Sequence, residues 1–111
     1  MKAVPSYTVR IWIAGDYADS VRAVREFCEE GACFAVSPAD YVYTGGAEPG
    51  VVVTRINYPR FAAEPEQILA QCFRLAEHLR IRLFQDSYSV ETPDQTYWFS
   101  RRQSGEGGRS E

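Results

Sequence analysis

The residues best equipped for chemistry are arginines interleaved with aromatic rings. Arg10 precedes Trp12 by two positions, Arg55 ends a valine-rich run just ahead of Asn57, Tyr58 and Arg60, and Arg82 precedes Phe84 by two. A guanidinium is a planar fork of donors that matches phosphate and carboxylate. Arginine beside exposed rings is also the composition enriched at protein interfaces. These residues therefore point either to a small-anion or nucleotide site or to an interaction surface. Arg101 and Arg102, taken with Tyr58 and Arg60, form a further candidate cluster around an anion.

Other chemistries have thinner support. Cys28, Cys33 and Cys72 with the single His78 do not make a four-ligand zinc pattern, so no metal is expected and the thiols read as small buried hydrophobes. His78 reads as a boundary residue of a helix, with no carboxylate or nucleophile obviously beside it. Asp86, Glu91 and Asp94 lie near a turn, where carboxylates are commonplace. The chain has no nucleophile elbow, P-loop or dinucleotide fingerprint, and no cofactor is expected. The stretch Thr44–Gly50 is rich in glycine but leads into a strand, so it reads as a hairpin turn and not as a phosphate cradle.

Composition narrows the classes. With 111 residues, 45% apolar and 24% charged, residues 1–102 read as one ordinary globular domain. The glycine- and serine-rich residues 103–111 read as a disordered tail. A net charge of −3 argues against a dedicated nucleic-acid binder. No apolar run is long enough to span a bilayer, and Met1–Pro5 is not followed by a signal-peptide core, so the expected location is cytoplasmic.

The elements that must position these residues follow from periodicity. Tyr7–Gly15 alternates with period two, Tyr7, Val9, Ile11 and Ile13 on one side and Thr8, Arg10 and Trp12 on the other. Asp16 can cap a helix that Gly31 stops, with Val21, Val24, Phe27 and Cys28 as its apolar stripe. Ala32–Tyr43 reads as an edge strand, with a bulge or bend at Pro38, and forms a hairpin with Val51–Tyr58. Pro65 opens a second helix with a stripe of Ile68, Leu69, Cys72, Leu75, Ala76 and Leu79. Ile81–Glu91 and Thr96–Arg102 then read as strands joined by a turn at Thr92–Gln95.

This order is that of an α+β, ferredoxin-like βαββαβ domain with a C-terminal fifth strand, two helices covering one face of an antiparallel sheet. The expected strand order is 4-1-3-2 with the fifth beside the fourth. Parity would turn Val52, Ile56, Ile81 and Leu83 toward the helices along with the apolar side of the first strand. Arg10, Trp12, Val53, Arg55, Arg82 and Phe84 would then share the open face, with Asn57, Tyr58 and Arg60 on an adjoining loop. The expectation is a non-catalytic binding module that acts through this face and self-associates as a homodimer. The alternative is a nucleotide- or small-anion-binding protein, or a small enzyme, using Arg10, Arg55 and Arg82.

Two resemblances bear on this. Ile11-Trp12-Ile13 is similar to the aromatic segment of an RNA-recognition motif, but Gly50–Tyr58 lacks the stacking rings that motif needs in its third strand. More broadly, Tyr43-Thr44-Gly45-Gly46, Glu48, Gly50-Val51 and Ile56–Phe61, with Thr92-Pro93-Asp94, Thr96, Trp98 and Ser100-Arg101-Arg102, resemble small uncharacterised proteins carried by bacteriophages and prophages. That resemblance implies a phage setting, in which such a protein binds a host protein or captures a host nucleotide.

Overall fold

The computed structural model describes residues 1–102. The expected tail, residues 103–111, lies outside the described residues. Strand β1 (Val9–Ala14) is followed by helix α1 (Tyr17–Phe27), the hairpin of β2 (Ala35–Tyr43) and β3 (Gly46–Arg55), helix α2 (Pro65–Arg82), and strands β4 (Ser87–Glu91) and β5 (Thr96–Ser100). All neighbouring strands are antiparallel, in the order β2-β3-β1-β4-β5. This is the expected ferredoxin-like arrangement with its extra strand, and it places β1 in the middle. No helix among the described residues is long and apolar enough to cross a membrane.

The core lies between the sheet and both helices. Val9, Ile11 and Ile13 of β1 meet Val51 and Val53 of β3 and Val90 of β4, and Ala23, Val24, Ile68, Cys72, Leu75, Ala76 and Leu79 close over them. Asp16 caps α1 by accepting from the Asp19 amide at 3.0 Å, as its carboxylate suggests. The buried side of α1 is Ser20, Ala23 and Val24, while Val21 is exposed, so the stripe is rotated from the expected one. Ser20 fits there because its hydroxyl donates to the Asp16 carbonyl at 2.7 Å. Glu26 joins α1 to Arg82 of α2 at 2.7 Å and to His78 at 3.2 Å, and Glu30 takes Arg74 at 2.7 Å.

Three departures from the sequence expectation matter for the site. First, α2 runs on through Arg82, and β4 begins only at Ser87. Leu83 lies four positions beyond Leu79 and is buried with it, so the apparent alternation at Ile81 and Leu83 is the end of a helical stripe. Arg82 therefore belongs to the helix end, where its charge suits the dipole. Phe84 is 92% exposed in the connecting turn, at a φ of 57°.

Second, the parity of β3 is the reverse of that expected. Ile11 pairs with Val53 and Ile13 with Val51, and directly paired residues share a face. Val53 and Arg55 thus lie under the helices, and Ile56 is exposed. The run Val51-Val52-Val53 has no alternation of its own, and the burial of Arg55 is offset by partners for two of its donors. Its Nε donates to Gln71 Oε1 at 2.8 Å and its Nη1 to the Ile56 carbonyl at 2.7 Å.

Third, β2 is an edge strand as expected, but its register with β3 continues one-to-one through Pro38 without a bulge. The connection is a two-residue turn, with Tyr43 paired to Gly46 and Gly45 at a φ of 83°.

Candidate functional site

The open face takes its shape from rows of residues that strand pairing lines up. One row runs Ser37, Val52, Trp12, Ser89, Trp98 across all five strands. The next is Ala39, Gly50, Ala14, made of small residues, and beyond it Tyr41 pairs with Glu48. With rings on either side of the small row, the face is hollowed there. The resulting cavity, about 230 Å³, is lined by Trp12, Ala14, Tyr41, Glu48, Ser89 and Trp98 among others.

Local contacts hold each wall. Tyr41 lies against Gly50, where a Cβ would overlap its ring and come within 2.6 Å of the Ile13 carbonyl oxygen. Its hydroxyl donates to the Val51 carbonyl, and burial pushes its pKa above the ordinary phenol value. The Trp12 Nε1 donates to Glu91 Oε1 at 2.9 Å, and Arg10 Nη1 stands 3.9 Å from the same oxygen. Glu48 takes part in no ion pair among the described residues. Trp12 and Trp98 remain 37% and 38% exposed, so each ring offers surface to a ligand.

Aromatic faces accept a flat ring or a cation, and an unpaired carboxylate favours positive charge. This cavity is therefore suited to a cationic ligand that carries a flat ring, and it is poorly suited to an anion. That corrects the arginine-based expectation. Arg10 is the only member of the expected trio on the open face; Arg55 is under the helices and Arg82 is held by Glu26.

The expected loop site is also largely structural. Asn57 is buried, its Nδ2 donating to the Pro5 carbonyl at 2.8 Å while its Oδ1 accepts from the Ala63 amide at 3.1 Å. It ties the lead-in of β1 to the approach of α2. The Tyr58 ring packs on Phe61 with centroids 5.4 Å apart and has Arg55 6.0 Å from its own centroid. A hydrogen bond with Cys33, together with burial, raises the Tyr58 pKa above its ordinary value. Arg60 is exposed beside it.

Arg101 and Arg102 are bound to Asp86 at 2.7 and 3.1 Å, at the Ser87–Ser100 end of the sheet. Tyr58 and Arg60 follow the opposite end of β3, so the second arginine cluster is not assembled. Asp86, Glu91 and Asp94 are likewise spread along the β4 and β5 hairpin. Of the residues expected on the face, Arg10 and Trp12 belong to it. Tyr41, Glu48, Ser89, Glu91 and Trp98 complete the site without having been read as members. The alternation of Thr96, Trp98 and Ser100 in the last strand was the one available signal.

The site thus belongs to an α+β protein whose sheet is covered by helices on one face and hollowed by aromatic and acidic groups on the other. No protein-family model matches the sequence, and no curated protein matches it. Among solved structures, a phage SAM lyase in its apo state shares the fold with a TM-score of 0.72 and 16% identity, over 94% of this chain and 98% of that one. A phage SAM lyase in complex with S-methyl-5'-thioadenosine gives a TM-score of 0.64 and 16% identity, over 90% and 93%. At this identity the likeness shows the fold. The expectation of a non-catalytic interaction module is overturned by this comparison, because the structures that share the fold along nearly its whole length are those of an enzyme, one with a small molecule bound. The comparison fits the alternative, a small enzyme, better.

Proposed function

We propose that this protein is a lyase that cleaves S-adenosylmethionine, with the open-face cavity as the seat of the substrate. The observation that carries the reading is the composition of that cavity, two indoles and a phenol beside a carboxylate with no ion pair among the described residues, on a fold shared with an enzyme of this activity. S-adenosylmethionine brings a flat purine, a sulfonium cation, an ammonium and a carboxylate. The purine and the sulfonium suit the aromatic walls, and Glu48 suits positive charge.

The reaction asks little of a protein acid or base. When the bond between sulfur and the methionine Cγ breaks, its electron pair goes to sulfur, and the leaving group departs as the neutral thioether S-methyl-5'-thioadenosine. The carbon left behind is satisfied within the amino-acid fragment, whose own carboxylate oxygen attacks Cγ as the thioether leaves and closes a ring. No water is added. The protein's contribution is then to hold the substrate folded in the reactive geometry.

The test is incubation of the purified full chain with S-adenosylmethionine in water enriched in oxygen-18, followed by mass spectrometry. The expected result is S-methyl-5'-thioadenosine together with an amino-acid fragment formed without incorporation of the label in its first-formed state. Absence of any thioether product with folded protein would sink the reading, and a labelled first product would make the protein a hydrolase.

A further inference from the structure

The row Trp12, Ser89, Trp98 places two indoles on the same face with one strand between them. Neighbouring strands are about 4.8 Å apart, so the backbones that carry the two rings are about 9.6 Å apart. A flat ring in contact with an aromatic surface on each side needs about 7–8 Å between those surfaces. The residue between the indoles is a serine, too short to fill the space. The cavity includes all three residues. Both indoles keep more than a third of their surface exposed, which is an unfavourable use of large apolar rings unless a ligand covers them.

We propose that this gap is a slot for the purine of a nucleoside, and that Glu91 is the positioning residue that keeps one wall of it in place. The slot deepens the lyase reading and rests on it for the identity of the nucleoside. The Trp12 side chain has a single polar handle, its Nε1 hydrogen, and Glu91 Oε1 accepts it at 2.9 Å. That bond fixes the rotation of the indole about its own stem. Arg10 Nη1, 3.9 Å from the same oxygen, adds an ion pair to this contact.

The probes are S-methyl-5'-thioadenosine and adenosine, titrated into the full chain by calorimetry and tryptophan emission. Both are expected to bind and to quench emission. In Trp98→Leu affinity for both should fall by about 5- to 150-fold, the range for removing one ring from a stacked base. Glu91→Ala should weaken binding several-fold and lower the near-ultraviolet circular dichroism of Trp12. Glu91→Gln keeps an acceptor oxygen and should restore most of both, which a merely charged or structural role would not do. If Trp98→Leu fails to fold, nuclear Overhauser contacts between the purine protons and both indoles in the wild-type chain decide the same question. Binding of the thioether that is unchanged in Trp98→Leu, or contacts to neither indole, overturns the slot and leaves the lyase reading standing. Binding of adenosine through the indoles without turnover of S-adenosylmethionine keeps the slot and removes the lyase reading. If neither probe binds, the slot is overturned.

Discussion

The two faces of the sheet are built from the same strands and use their polar residues in opposite ways. Under the helices, every large apolar side chain of β1 and β3 is packed, and the polar intruders are spent on structure: Arg55 on Gln71 and Ile56, Asn57 on Pro5 and Ala63. On the open side, Trp12, Trp98 and Glu48 keep free surface around a row of small residues. Close packing makes one face intolerant of change, and the hollow in the other has no stabilising role of its own. A residue's contribution should therefore depend on which side of β1 it occupies, although neighbours in sequence differ by one position.

The strongest way to break that contrast is to truncate adjacent residues of β1. Ile11→Ala removes a fully buried side chain and should destabilise the fold by about 2–5 kcal/mol. Trp12→Ala, one position on, should cost no more than about 1 kcal/mol while abolishing the binding of S-methyl-5'-thioadenosine. Urea unfolding and calorimetry read the two quantities separately. If Trp12→Ala proves as damaging to stability as Ile11→Ala, the open face is structural and the contrast fails.

This division was partly visible in the sequence. The alternation of Val9, Ile11 and Ile13 against Arg10 and Trp12 assigns the two sides of the central strand correctly, and Asp16 marks its helix by cap chemistry alone. Pro65 does the same for α2, and those signals suffice for the order of elements and hence for the topology. The site was much less legible. Its walls meet only through the register of all five strands, β2 on β3, β3 on β1, β1 on β4 and β4 on β5, and register is a tertiary outcome. Three consecutive valines leave β3 without a parity of its own, so counting it from Val52 and Ile56 puts Arg55 on the wrong face. Leu79 and Leu83 are compatible with a helix and Ile81 and Leu83 with a strand, and burial against the core decides between them.

A second effect, smaller near neutrality, sharpens the contrast from the covered side. Cys72 is buried in the core, and the loss of solvent pushes its thiol up to about 12 from an ordinary value of 9.0. The unfolded chain therefore loses this proton before the folded one does. Stability is unaffected below about pH 9 and should fall as pH rises from there toward 12, by about 1.4 kcal/mol per unit for this thiol. Tyr88, raised in the same direction by burial and by its hydrogen bond to Glu77, adds a similar trend at higher pH. Comparing wild type with Cys72→Ala between pH 8 and 11 cancels the tyrosine and isolates the cysteine. The variant should show a shallower decline, whatever its stability at pH 8. Equal slopes would mean that solvent reaches this part of the core.

The smallest effect concerns a residue that belongs to neither face. Phe84 holds a left-handed backbone at φ 57° in the turn between α2 and β4, with its ring almost wholly in solvent. Left-handed geometry is unfavourable for a bulky residue and much less so for asparagine. With no packing to lose, Phe84→Asn should stabilise the fold by about 0.5–1 kcal/mol, read as a small rise in urea midpoint at unchanged slope. The same variant should bind S-methyl-5'-thioadenosine as the wild type does, because Phe84 lies outside the residues that line the cavity. A variant that gains stability but loses ligand would mean that this turn closes over the bound molecule, and the functional surface would then extend from the sheet to the end of α2. Unchanged affinity confines it to the side of the sheet that the helices leave open.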